Sequence, residues 1–175
     1  MNRLSLEEYQ KLTGRTNVDL GSPAINAAHC VLGIVGEINE FHNECAYSLD
    51  VRDVLKEAGD ICWYCSELAN IFEIQLKLID LYLEDDDLEA KTFIMYESTS
   101  RISEQIKKFL AYSKELQAEL ISTDLSYIIS AIKHELDFLG EDFENCLYLN
   151  IEKLKLRFPE DKFDKDLAIQ QNDMK

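Results

Sequence analysis

Four carboxylates stand out by type and spacing. Glu37 and Glu40 lie three residues apart, and so do Glu57 and Asp60. On a helix that spacing puts both members of a pair on one face. Glu37, Glu40 and Glu44 form a strip beside the apolar stripe of their helix, and Gly33 and Gly36 fall on the same strip. A glycine inside a helix costs on the order of 1 kcal/mol relative to alanine, so these two predict close approach of another backbone or a ligand. Glu57 and Asp60 fall inside an apolar arc made by Val54, Ala58, Ile61, Tyr64, Cys65 and Leu68. A carboxylate that faces a core is costly to desolvate unless a cation meets it. Two such acids facing two on a neighbouring helix make an oxygen-rich site suited to Mg²⁺ or Mn²⁺. Lys or Arg side chains reaching across the bundle would satisfy the same acids, and spacing alone leaves both readings open. A further group, Asn150, Lys153 and Arg157, shares one face of a later helix. An amide, an ammonium and a guanidinium suit phosphate oxygens. A surface stripe pairing with the abundant acids is the alternative.

Other groupings fit their chemistry less well. Cys62-Trp63-Tyr64-Cys65 has the CxxC spacing of redox and zinc sites. It lies mid-helix, no strands flank it, and no second CxxC exists, so both cysteines read as buried small residues. A di-iron bundle needs Glu three residues before His. His29, His42 and His134 follow Asn26, Asn39 and Ala131 instead. His42 and His134 are expected at the surface. Phe138, Phe143 and Tyr148 follow helical steps and are expected in the core.

These side chains need helices to carry them. The segment Leu4 to Gly14 reads as a short helical arm, and Asn17 to Pro23 as a loop. From Ala24 the apolar stripe Val31, Ile34, Val35, Ile38, Phe41 and Cys45 marks a helix. A turn at Ser48–Asp50 leads to a helix predicted from Val51 to about Leu83. Glu84-Asp85-Asp86-Asp87 is a solvated acidic break that supplies acids to the next helix N-terminus. A third helix is predicted from about Lys91 to Leu120, with Ser122-Thr123-Asp124 as the cap of a fourth. Gly140 stops the fourth helix, and Pro159 ends a closing helix predicted over Glu141–Arg157. No segment alternates convincingly with period two. The predicted architecture is an all-α bundle in one domain.

Composition narrows the partners. The chain has 175 residues, enough for one domain with a real core. Hydrophobic residues make up 46%, too many for a disordered chain. The formal net charge of -16 argues against direct binding of a nucleic-acid polymer or an anionic membrane. A small polyphosphate remains compatible if divalent cations lie between the two sets of negative charge. No stretch is long enough to span a membrane, and Met1 to Glu8 shows no signal-peptide pattern. Five scattered cysteines read as reduced thiols, so a cytoplasmic location is expected.

The motifs also form a familiar order. Gly36-Glu37-Ile38-Asn39-Glu40, then Glu57-Ala58-Gly59-Asp60-Ile61-Cys62-Trp63-Tyr64, resemble the ExxE and ExxD motifs of MazG-like nucleoside triphosphate pyrophosphohydrolases. Leu32-Gly33-Ile34-Val35 looks like the family's lead-in, and Glu8-Tyr9-Gln10 with Arg15-Thr16 like its N-terminal arm. The segment from Leu139-Gly140 through Asn150-Ile151-Glu152-Lys153 to Arg157-Phe158-Pro159 is similar to its closing helix. The resemblance implies an all-α fold that forms homo-oligomers, dimers foremost. It implies hydrolysis of an NTP or dNTP, with a dNTP expected, to the monophosphate and pyrophosphate. Glu37, Glu40, Glu57 and Asp60 would hold Mg²⁺ or Mn²⁺ and carry the catalysis, with Glu40 as the expected base. Asn150, Lys153 and Arg157 would meet the phosphates, and Tyr64, Trp63 and His29 the nucleoside. A helical interaction or nucleotide-binding protein that keeps the fold without the chemistry is the alternative.

The chain departs from compact family members in one respect. Asp60 and Lys153 stand 93 residues apart. The chain divides into the arm and acid helices (1–72), an inserted helix pair (73–139), and the closing helix and tail (140–175). Shifted by 67 positions, Val54, Ile61, Cys62, Cys65, Ala69 and Phe72 fall on Ile121, Ile128, Ile129, Ile132, Leu136 and Leu139. All six remain apolar. Glu37, Glu40, Glu57 and Asp60 fall on Glu104, Lys107, Asp124 and Tyr127. The insertion therefore reads either as a degenerate internal repeat or as an unrelated helix pair.

Overall fold

The computed structural model describes residues 3–48, 50–84, 86–160 and 162–170. Met1, Asn2, Leu49 of the first turn, Asp85 of the acidic break, residue 161 and the tail 171–175 lie outside the described residues. The chain forms α1 (Leu6–Thr13), α2 (Pro23–Tyr47), α3 (Val51–Ile71), α4 (Leu88–Tyr112), α5 (Ala118–Phe138), α6 (Phe143–Arg157) and α7 (Lys165–Ile169). The fold is all-α, with no strand among the described residues.

Local chemistry sets most boundaries. Ser5 and Glu8 form a reciprocal capping box at α1, and Pro23 opens α2 where a missing N–H costs nothing. Asp50 and Asp142 cap α3 and α6 through their side chains. Gly140, at φ 78°, closes α5 with the Glu141 N–H donating to the Leu136 carbonyl at 2.8 Å.

Two predicted helices end early. α3 stops at Ile71, well short of Leu83. The Ile74 N–H donates to the Ala69 carbonyl at 2.8 Å, the same closure as at Gly140. Here the left-handed position is filled by Glu73, at φ 55°, so no glycine marked it. Beyond it the chain runs extended, with Ile74 and Leu76 buried and Gln75 and Lys77 exposed. That is a short period-two pattern. The Gln10 amide holds this strap at both ends, donating to the Ile74 carbonyl (2.7 Å) and accepting from the Leu76 N–H (3.0 Å). α4 ends at Tyr112, again on a left-handed residue that is not glycine, Ser113. Ser122–Asp124 lie inside α5 rather than at its start. Thr123 and Ser126 donate their hydroxyls to carbonyls one turn back, which lets such residues stay helical.

α2 packs between α3 and α4, α5 lies against α4, and α6 crosses α3 with α1 over both. Ile34, Phe41, Ile61, Met95, Ile102 and Ile128 are fully buried in the centre. Val35, expected in the stripe, is exposed. His42 is half-buried between α2 and α4, 3.0 Å from the Thr92 hydroxyl, and His134 is half-buried too, so neither is a surface residue. Phe143 is in the core as expected, but Phe138 is half-exposed beneath the Lys91 ammonium. Cys62 and Cys65 are fully buried, and burial pushes both thiols up, which fits inert core residues. No helix among the described residues is long and apolar enough to cross a membrane.

Candidate acid pocket

α2 and α3 pack side by side and bring Glu37, Glu40 and Glu57 toward one another. Ligand oxygens of all three lie within 4.8 Å of one another. Glu57 is buried, Glu37 half-buried and Glu40 exposed. The Lys56 ammonium donates to Glu57 Oε1 at 2.7 Å. Glu37 is pushed up to about 8, first by burial, then by the charges of Asp60, Glu57 and Glu40, and by a hydrogen bond with Glu57. The donor set is thus all hard oxygen and has more negative charge than local cations balance, which fits Mg²⁺ or Mn²⁺.

Asp60 lies outside that 4.8 Å group, yet its charge is the first of those that raise Glu37. Its Oδ1 accepts from the Lys153 ammonium and from Asn150 Nδ2 (2.9 Å). Sequence spacing predicted four converging acids; three meet within 4.8 Å, and Asp60 faces the same hollow while held from α6. The cause is where α6 crosses α3. A Cβ on Gly59 would lie 2.8 Å from Cβ and Nδ2 of Asn150, so only glycine admits the crossing. That crossing lays the Asn150–Lys153 face on Asp60. Tyr9, fully buried on α1, donates its hydroxyl to Asn150 Oδ1 at 2.8 Å and lies 3.1 Å from the Gly59 carbonyl. It thereby orients the amide so that Nδ2 faces Asp60. Replacing Tyr9 by Phe leaves a buried acceptor without its donor. The expected loss is about 1–3 kcal/mol, or a melting temperature lower by about 2–4 °C per kcal/mol in a domain this size. Thermal melts of the two proteins read it.

A cavity of about 480 Å³ opens beside the acids. Its walls include all four acids and Arg157, a half-buried guanidinium lowered by burial. The aromatic wall includes His29, Trp63 and Tyr64. Tyr64 meets Trp63 and His29 edge-on, with centroids 4.9 and 5.7 Å apart. The Trp63 indole N–H donates to the Thr16 hydroxyl at 3.1 Å. The Tyr64 ring rides over Gly33, where a Cβ would sit 2.4 Å away. At Gly36 nothing lies within 4 Å of a Cβ, so no other backbone approaches there.

Asn150 and Lys153 do not line this cavity. Asn150 is buried, and Lys153 borders an adjoining cleft with Lys56. The sequence reading missed the far wall, where Phe158 meets Phe163 with centroids 5.7 Å apart. The one sequence signal was Asp164, which caps the short helix after Pro159. A larger, more open cavity of about 1080 Å³ lies over α4 and α5.

The raised Glu37 has a pH consequence. Between its ordinary value of 4.5 and about 8 the folded state holds more protons than the unfolded one. Stability of the cation-free protein should therefore fall as pH rises through that window. Saturating Mg²⁺ should flatten the slope. At a hundredfold excess over Kd it should add about 2.7 kcal/mol, or about 5–10 °C. Thermal melts from pH 5 to 8, with and without Mg²⁺, test both. An unchanged melting temperature would exclude a cation at these acids.

Comparison with protein families, curated proteins and solved structures found no match to this chain. The quoted motifs alone carry the family resemblance.

Proposed function

We propose that the chain is a Mg²⁺-dependent nucleoside triphosphate pyrophosphohydrolase of the MazG-like, all-α type. The observation that carries this reading is the juxtaposition of three carboxylates within 4.8 Å with a cavity walled by acids, one guanidinium and aromatic rings. Glu37, Glu40 and Glu57 would hold a divalent cation, which when bound would neutralise phosphate charge and make water more acidic. Trp63, Tyr64 and His29 hold the nucleoside. Water attacks the α-phosphorus; the new oxygen–phosphorus bond forms as the bond to the bridging oxygen breaks. The electron pair leaves with pyrophosphate. Glu40, the most exposed of the three acids, takes the water's proton. Arg157 stabilises the charge that develops on the leaving group. Lys153 and Asn150, which the resemblance assigns to phosphate, hold Asp60 at the pocket wall.

A nucleotide panel assayed for pyrophosphate release with Mg²⁺ tests this. The expected result is equimolar monophosphate and pyrophosphate, abolished by a chelator, with a dNTP preferred. No turnover of any NTP or dNTP by folded protein would overturn it. The second reading, a bundle that keeps the fold without the chemistry, draws on the Lys56–Glu57 and Lys153–Asp60 pairs, which already balance two of the four acids. The homodimer that the resemblance implies is read by light scattering.

A further inference from the structure

α2 and α4 have 25 residues each, and α3 and α5 have 21 each. The match extends to burial. Shifted by 67 positions, nine of the eleven buried residues of α3 fall on buried residues of α5. Val54, Glu57, Ala58, Gly59, Ile61, Cys62, Cys65, Leu68 and Ala69 fall on Ile121, Asp124, Leu125, Ser126, Ile128, Ile129, Ile132, Glu135 and Leu136. α2 matches α4 in a different register. Shifted by 68, Ala27, Cys30, Val31, Ile34 and Ile38 fall on Met95, Ser98, Thr99, Ile102 and Ile106, five of the six buried positions of α2. Shifted by 67, only Val31 falls on a buried residue.

That single step changes the pairing of the acids. Glu37 corresponds to Gln105 and Glu40 to Lys108, not to Glu104 and Lys107. Glu57 corresponds to Asp124 and Asp60 to Tyr127, so one acid of four remains. The cavities correspond as well. Glu37, Lys56, Glu57 and Asp60 line the 480 Å³ pocket; Gln105, Thr123, Asp124 and Tyr127 line the 1080 Å³ one. Gly33 corresponds to Arg101. The Arg101 Nε donates to the buried Asp124 at 2.7 Å, and one terminal nitrogen donates to the Ser98 hydroxyl at 3.0 Å.

We propose that α4–α5 is a second copy of the α2–α3 hairpin in which the guanidinium of Arg101 stands in for the cation, so that the chain carries one cation site and one silent twin. A guanidinium is permanently charged and forked. It satisfies a buried carboxylate without an ion, and the copy keeps its packing while losing its need for metal.

The cation at the first site rests on the proposed function, so the test separates the two. Mn²⁺ sites per chain are counted by calorimetry in the parent, and in a graft that restores the first-copy residues, R101G/Q105E/K108E/Y127D. The expected counts are one and two. In an E37Q/E57Q background they become none and one. A folded graft that binds no more Mn²⁺ than its parent overturns the twin. A parent that binds none while the graft gains a site overturns the first-site reading and leaves the twin standing. If the graft fails to fold, R101A and R101A/D124N decide. The single variant should melt several degrees lower and the double should recover most of that loss; an unchanged R101A overturns the proposal.

Discussion

Glu57→Gln is expected to remove nearly all Mg²⁺-dependent pyrophosphate release, a fall of about a hundredfold to a thousandfold or more in kcat, while the helical fold survives. Glu57 is the most buried of the three converging acids and is hydrogen-bonded to Glu37 and paired with Lys56. Glutamine has the same shape and keeps an acceptor for the Lys56 ammonium, so packing changes little. It removes a full negative charge from the place where a cation would be held. It also removes one of the charges that pushes Glu37 up, so the cation-free variant should melt no lower than the parent. The two readouts therefore diverge. Turnover and the Mg²⁺-dependent rise in melting temperature are lost together, while metal-free stability is kept or raised. Normal turnover in the variant would remove these acids from the chemistry.

The sequence made some of this legible and hid the rest for identifiable reasons. The acid pairs were readable because helical spacing and an apolar arc together place a side chain, and both survive as simple periodicities at Glu37, Glu40 and Glu57. The bonds that hold Asp60 were not readable because its partners arrive from α6, and no local pattern says where another helix crosses. The crossing did have a trace, Gly59, whose small size reads as conformational freedom until Asn150 is seen packed on it. Helix ends were readable at Gly140 and not at Glu73 or Ser113, because all three take left-handed backbone but only glycine advertises it. The strap at Ile74 and Leu76 was hidden by its length, two buried residues being too few to establish a period. The proposed second copy showed in the sequence only through its apolar residues, and its register in α4 rests on burial. Polar Ser98 and Thr99 fill core positions there and look like surface in a sequence.

Gly59→Ala and Gly36→Ala should move stability in opposite directions, although both change one mid-helix glycine in neighbouring acid motifs. At Gly36 a Cβ meets nothing within 4 Å. The substitution there should return the helix-propensity difference of about 1 kcal/mol, a rise of about 2–4 °C. At Gly59 the same methyl would lie 2.8 Å from the Cβ of Asn150, an atom fixed to the α6 backbone that no rotamer change can move. α6 must then retreat from α3. Overpacking costs about 1–3 kcal/mol, and the retreat also loosens the Tyr9–Asn150 and Asn150–Asp60 hydrogen bonds, each worth about 1 kcal/mol. Set against the propensity gain, the net loss is about 2–4 kcal/mol, or about 5–15 °C. Asp60 would lose its two anchors together, so the pocket wall should loosen and turnover fall even at temperatures where the variant stays folded. Paired melts settle the sign. If both substitutions stabilise, α6 does not rest on Gly59, and the Tyr9–Asn150–Asp60–Lys153 chain that holds Asp60 is wrong.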